Sequence, residues 1–144
     1  MKLLFVLTAF VWCLAGCQKD DSAAPLIDAP FDQQVTLRQQ QSGAFPNQRM
    51  PELTVKVEGV NDSRCPQDVV CAWGGVAEVV LSIQAADGSS QTLKLVLSGV
   101  SADAQGMVQA NDRGYLVVLH DVTPYPKTTA AQQPKSIVLS VQRN

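Results

Sequence analysis

The residues best suited to chemistry gather in one stretch, from Asp62 through Ser63, Arg64, Cys65, Pro66, Gln67, Asp68, Val69, Val70, Cys71, Ala72 and Trp73 to Gly74 and Gly75. It holds two thiols, two carboxylates, a guanidinium and an indole. Asp62 is placed to accept hydrogen bonds from backbone N–H groups just ahead of it as an Asx-turn. Arg64 is suited to pair a carboxylate or backbone carbonyls. Held on a β scaffold, Asp62, Arg64, Asp68 and Trp73 would make a rigid recognition loop. Tyr125, between Pro124 and Pro126, is a second candidate: an aromatic that either anchors a partner or folds back over the end of a sheet.

Other chemistries find little support. A zinc site needs more nitrogen and sulfur ligands than Cys65, Cys71 and a single His can supply. The acids Asp87, Asp112 and Asp121 match no calcium-loop spacing. His120-Asp121 is the one His–carboxylate neighbourhood, but adjacent strand residues point to opposite faces and are not expected to meet. A nucleophilic set would need a serine that only the fold could bring near. Phosphate-cradling Gly-rich loops are absent from the sequence, so no cofactor is expected. The formal net charge of −2, with no block of Lys or Arg, argues against a nucleic-acid partner and against electrostatic binding to anionic lipid.

The first residues read as an export signal. Lys2 supplies positive charge and Leu3 to Cys13 is apolar apart from Thr8, a run too short for a bilayer-spanning helix of about 20 residues. Leu14-Ala15-Gly16-Cys17 resembles the lipobox of bacterial lipoproteins, in which the Cys is acylated and becomes the first mature residue. The resemblance implies a signal peptide over 1–16, lipid on Cys17, and a cell-envelope location held by at least two acyl chains, enough for stable anchoring. Gln18, where an Asp would signal inner-membrane retention, favours the outer membrane. Cys13 then leaves with the leader and Cys17 carries lipid. Cys65 and Cys71 remain to pair in an oxidising compartment.

The elements that must position these groups are strands. Gln18 to Pro30 shows no period and reads as a tether reaching about 20 Å as a flexible coil. The folded domain is expected over 31–144. Alternation marks strands at Val35–Leu37, Leu53–Val57, Ala77–Ile83, Leu93–Leu97, Tyr115–Leu119 and Ile137–Val141. Asp87-Gly88 is a hairpin turn. Gln39 to Pro51 and Lys127 to Lys135 read as loops, and Gly99 to Ala110 holds either a short strand or a helical turn. Asp121 falls in an inward phase, which points to a bulge or strand end. Trp73 is expected to pack near the disulfide. The fold class is all-β, an antiparallel Greek-key sandwich of six or seven strands, with a small closed barrel as the alternative.

The central stretch resembles a group of small bacterial exported proteins and lipoproteins of unknown function. They share Asp-Ser-Arg-Cys-Pro, a second Cys and Trp-x-Gly, here Asp62 to Pro66, Cys71 and Trp73 to Gly75. A late strand ending in Pro-Tyr-Pro is matched by Tyr115 to Pro126. The resemblance implies export and a disulfide and supplies no catalytic residue. The expected function is a membrane-anchored, non-enzymatic binding or structural module acting on an envelope protein or ligand. The alternatives are an envelope-acting hydrolase and an inhibitor of an exogenous hydrolase such as lysozyme. The hydrolase would need a pocket lined by at least two of His120, Asp62, Asp68 and Asp121. The binding module would need an exposed apolar patch near the Cys65–Cys71 ring or Tyr125.

Overall fold

The computed structural model describes residues 24–99, 103–129 and 133–144. Cys17 and the expected signal peptide over 1–16 lie outside the described residues. Nine strands are present among the described residues: β1 Ile27–Asp28, β2 Val35–Arg38, β3 Ser42–Phe45, β4 Leu53–Asp62, β5 Val76–Ala85, β6 Ser90–Ser98, β7 Ala104–Ala110, β8 Arg113–Thr123 and β9 Ser136–Arg143. They form two facing sheets, ordered β1-β3-β4-β5-β6 and β2-β9-β8-β7. All pairs are antiparallel except β1 with β3. The result is the all-β sandwich, not a closed barrel. β2 ties the layers together: it joins β9 in the second sheet while β1 and β3, its sequence neighbours, pair with each other.

The core follows the period of two. Leu53, Val55 and Val57 face Ala77, Val79, Leu81 and Ile83 within one sheet, and Tyr115, Val117, Leu119, Ile137, Leu139 and Val141 pack onto them from the other. At the far end Phe31 stacks on Tyr115, with ring centroids 6.0 Å apart, and tilts against Phe45 at 5.7 Å. The Tyr115 hydroxyl donates to Glu52 and accepts from Asn111, so this deeply buried phenol keeps its polar tip satisfied.

Two segments differ from the sequence reading, and a third, Gly99 to Ala110, takes the strand of its two expected forms. The ordered domain begins before Phe31, because Ile27 and Asp28 pair with Gly43 and Ala44 and Ala29 is fully buried. The tether is shortened accordingly. β3 lies inside the expected 39–51 loop; Ser42-Gly43-Ala44-Phe45 has weak strand propensity and is held by ladders on both sides. The 99–110 stretch resolves to strand at β7. The bulge expected near Asp121 is present: the β8–β9 register slips between Leu119 and Asp121, His120 is the extra residue, and Val122 returns to the core. A second bulge sits at Glu58 in β4.

β4, β6 and β8 all end on one side of the sandwich, where β4 hands over to the Cys65–Cys71 loop and β8 to the Pro124–Lys135 connection. The β3–β4 loop, the β5–β6 hairpin, the β7–β8 turn and Asn144 occupy the opposite end.

Candidate functional site at the disulfide-closed end

The legs of the β4–β5 connection stay laddered past the strands. Ser63 N–H donates to Val76 O at 2.8 Å and Cys65 N–H to Gly74 O at 2.8 Å. The legs meet so closely at Gly75 that a Cβ there would lie 2.0 Å from Ser63 O, and its φ of +70° is one L residues rarely adopt. Beyond this stem the Cys65–Cys71 disulfide closes the tip, with Cα atoms 5.9 Å apart.

Arg64 turns inward from the stem. Its Nε and Nη2 grip both oxygens of Asp62 at 2.8 Å, and Nη2 also donates to Val122 O. The Arg64 backbone N–H reaches Asp62 Oδ1 at 3.3 Å, the Asx-type contact expected there. The guanidinium carbon lies 4.2 Å from the Tyr125 ring centre, and Asp121 stands 3.8 Å from Nη1. Lys135 completes the cluster, donating to Asp62 Oδ2 at 2.9 Å and to Pro124 O at 2.6 Å. Burial alone would raise the Asp62 carboxyl, but the hydrogen bonds from Arg64 and Lys135 outweigh it and hold the pKa below its ordinary value. Burial would lower Arg64, and its bond to Asp62 reverses that, so its pKa is raised.

Asp68 makes a separate clamp. Its carboxylate accepts from the backbone N–H and hydroxyl of Thr128, which lower its pKa. Gln67 N–H donates to Pro126 O at 3.1 Å. The β4–β5 and β8–β9 connections are thereby fused into one unit across the two sheets. A groove of about 530 Å³ runs beside it, bordered by Gln39, Asn61, Asp62, Tyr125, Lys127 and Lys135.

The structure thus brings Asp62, Arg64 and Tyr125 together, bonds Cys65 to Cys71, and sets Asp68 apart on Thr128. Trp73 corrects an expectation: it does not bury itself near the disulfide but stands 70% exposed. Val69 (45%) and Val70 (101%) are exposed beside it in the chain. Sequence reasoning asked for an exposed patch near the ring and named Trp73, but it did not single out Val69 or Val70 and missed the roles of Lys135 and Thr128. The pair Val69-Val70, apolar inside a ring with no strand period, was the available signal; the two polar partners lie some 60 or 70 positions from theirs and left none.

Chemically, the cluster is saturated. Both Asp62 oxygens and the Arg64 donors facing them are engaged, which leaves neither group free as an acid, base or anion receptor. Of the four hydrolase candidates only Asp62 borders the groove. His120 does not meet Asp121; its Nδ1 lies 2.7 Å from Asp103 Oδ1 and its Nε2 2.9 Å from Ser140 Oγ. That connectivity is the one used in acyl transfer, but Ser140 is only 5% exposed and does not border the groove. Among the described residues no group of three or more His, Cys, Asp or Glu could hold a metal ion.

No protein-family model matches the chain, and no curated protein or solved structure does either.

Proposed function

We propose that this chain is a lipid-anchored protein of the bacterial cell envelope, in the outer rather than the inner membrane, whose domain is a non-enzymatic binding module working through its disulfide-closed end. Support for the anchor comes from Leu14-Ala15-Gly16-Cys17 and from the cysteine parity it leaves behind. The observation that carries the binding reading is the exposed ridge of Val69, Val70 and Trp73. Val70 is fully exposed and Trp73 largely so, so the core gains little from either. They are nonetheless presented on a braced loop, fixed by the disulfide, the Asp62–Arg64 pair and the Asp68–Thr128 clamp. Exposed apolar side chains on a preorganised loop are what a binding surface needs, because little conformational entropy is lost when it engages.

Two measurements test the reading. Wild-type protein should sediment with membranes and Cys17→Ser should not; a variant that still sediments defeats the anchor. A photo-crosslinker at Val70 in intact cells should label an envelope component, while one at Gln91, on the far side of the molecule, should not. Equal labelling at both positions would refute the assignment of the binding surface.

A further inference from the structure

We infer that the Val69–Val70–Trp73 ridge seats on the membrane interface of the leaflet that holds the chain's own acyl anchor. The inference rests on the lipid-anchor reading and adds to it a second point of contact and a fixed orientation.

Strand direction supplies the first step. β1 runs parallel to β3 and therefore antiparallel to β4. The chain ahead of β1 thus leaves the sandwich toward the end where β4 gives way to the disulfide loop. Pro25 O accepts from Gln41 Nε2 at 3.4 Å, and Gln41 O accepts from Val57 N–H at 3.0 Å. Pro25 therefore lies near the level of Val57, five positions short of Asp62, or about 15 Å along the strand.

Chain length supplies the second. Ala24 follows Cys17 by seven positions. Seven residues span at most about 25 Å when fully extended. That is enough to place acyl chains on Cys17 level with the disulfide loop or just beyond it. To bring the opposite end to the bilayer instead, the same residues would have to reverse direction and run about 13 Å back to the level of Leu53. They would then have to pass the 46–52 loop as well. A tether running from Pro30 would have left the orientation open. One ending at Ala24 turns the disulfide-closed end toward the membrane.

The side chains at that end suit a headgroup-level seat. Trp is favoured at the membrane–water boundary, where its ring is buried and its N–H stays wet. Val69 and Val70 add apolar area and no charge. The ridge carries no Lys or Arg, so contact would depend on apolar burial and not on anionic lipid. Asp68, whose carboxylate accepts from Thr128, stands next to Val69 in the chain, and its charge limits insertion to the interface. Each contact is small, but the anchor confines the ridge to a few nanometres from the lipid. Tethering of this kind gives effective concentrations on the order of millimolar, at which a weak site is occupied.

Trp73 itself reports the outcome, because the only other Trp, Trp12, leaves with the leader. Mature, lipidated protein is reconstituted into phosphatidylethanolamine/phosphatidylglycerol vesicles and floated. Vesicles carrying lipids brominated near the glycerol end of the acyl chains should quench Trp73, while aqueous iodide should quench it less than in the unfolded protein. Val70→Asp should float equally well and lose most of the lipid quenching. Met50→Asp, at the opposite end and 79% exposed, should change neither. Protein that floats with Trp73 quenched only by iodide overturns the inference and leaves the anchor standing. So does protein whose Trp73 is shielded only in native membranes, through a crosslink to another protein. Protein that fails to float overturns the anchor and the inference together.

Discussion

Asp62→Asn is the sharpest probe of how the disulfide-closed end is held. The substitution keeps shape and volume but removes the charge that Arg64 and Lys135 share. Its amide would turn an N–H₂ group toward one of the two cations. Both Asp62 and Arg64 side chains are nearly inaccessible, at 2% and 3% exposure, so the loss is of a buried pair and not a surface one. Removing one partner of a buried pair costs about 3–5 kcal/mol, chiefly because the other charge stays buried and uncompensated. Here Arg64 keeps the Val122 carbonyl, the Tyr125 face and a distant Asp121, which favours the lower end, about 3 kcal/mol. For a domain of this size that corresponds to a fall in melting temperature of roughly 10–15 °C, read by circular dichroism. The pH dependence gives an independent arm. A carboxyl whose folded pKa is depressed contributes stability above its ordinary value, near 3.8, and loses that contribution as pH falls through the lower, folded value. Wild-type protein should therefore lose stability faster than Asp62→Asn as the pH drops below about 4. Asp68, Glu78 and Asp87, also lowered, titrate in both proteins, so the difference isolates Asp62. Melting of the variant within about 2 °C of wild type, or parallel acid curves, would refute the account of Arg64–Asp62 as the pivot of this loop.

Replacing Cys65 and Cys71 together by Ser opens a ring of sequence separation 6. In the chain-entropy model it should remove about 2 kcal/mol and lower the melting temperature by roughly 6–10 °C; an unchanged melting curve would mean the crosslink does nothing for the fold. Gly75→Ala should cost more than about 3 kcal/mol, since left-handed strain adds to a backbone clash with Ser63. Gly74→Ala, whose Cβ meets nothing within 4 Å, should stay within about 0.5 kcal/mol of wild type in urea unfolding. Similar values for the two glycines would contradict the packing of the stem.

Long strands were legible because their inward residues alternate without a break. The apolar positions of β4, β5, β8 and β9 could be assigned to the core from period alone, and so could the disturbance near Asp121. Of the shortest strands only β2 was legible, from the alternation of Val35 and Leu37. β1 and β3 offer two and four residues, and each exists because a neighbour supplies hydrogen bonds that no local pattern announces. The same limit applies at the candidate site. The Asp62 turn and the cysteine ring are local and could be read. Lys135 reaches Asp62 and Thr128 reaches Asp68 only through the meeting of two connections from different sheets. Trp73 misled because an indole near a disulfide is usually core, whereas here Gly75 draws the legs of the stem together below it and leaves no interior for the ring to enter.

That geometry also bears on why the loop is braced so heavily. Residues 67–74 are all exposed, and a segment with so few buried apolar contacts would ordinarily open at little cost in free energy. The disulfide, the Arg64 pivot and the Thr128 clamp act at three separate points on or beside it, and none of them buries Val70 or Trp73. Bracing that served the fold alone would be expected to bury the tip as well. Bracing that holds the tip out makes sense if the tip is the surface that works. The two roles separate in the variants: Asp62→Asn and the Cys pair should weaken the frame, while Val70→Asp should leave the frame intact and alter only what it touches.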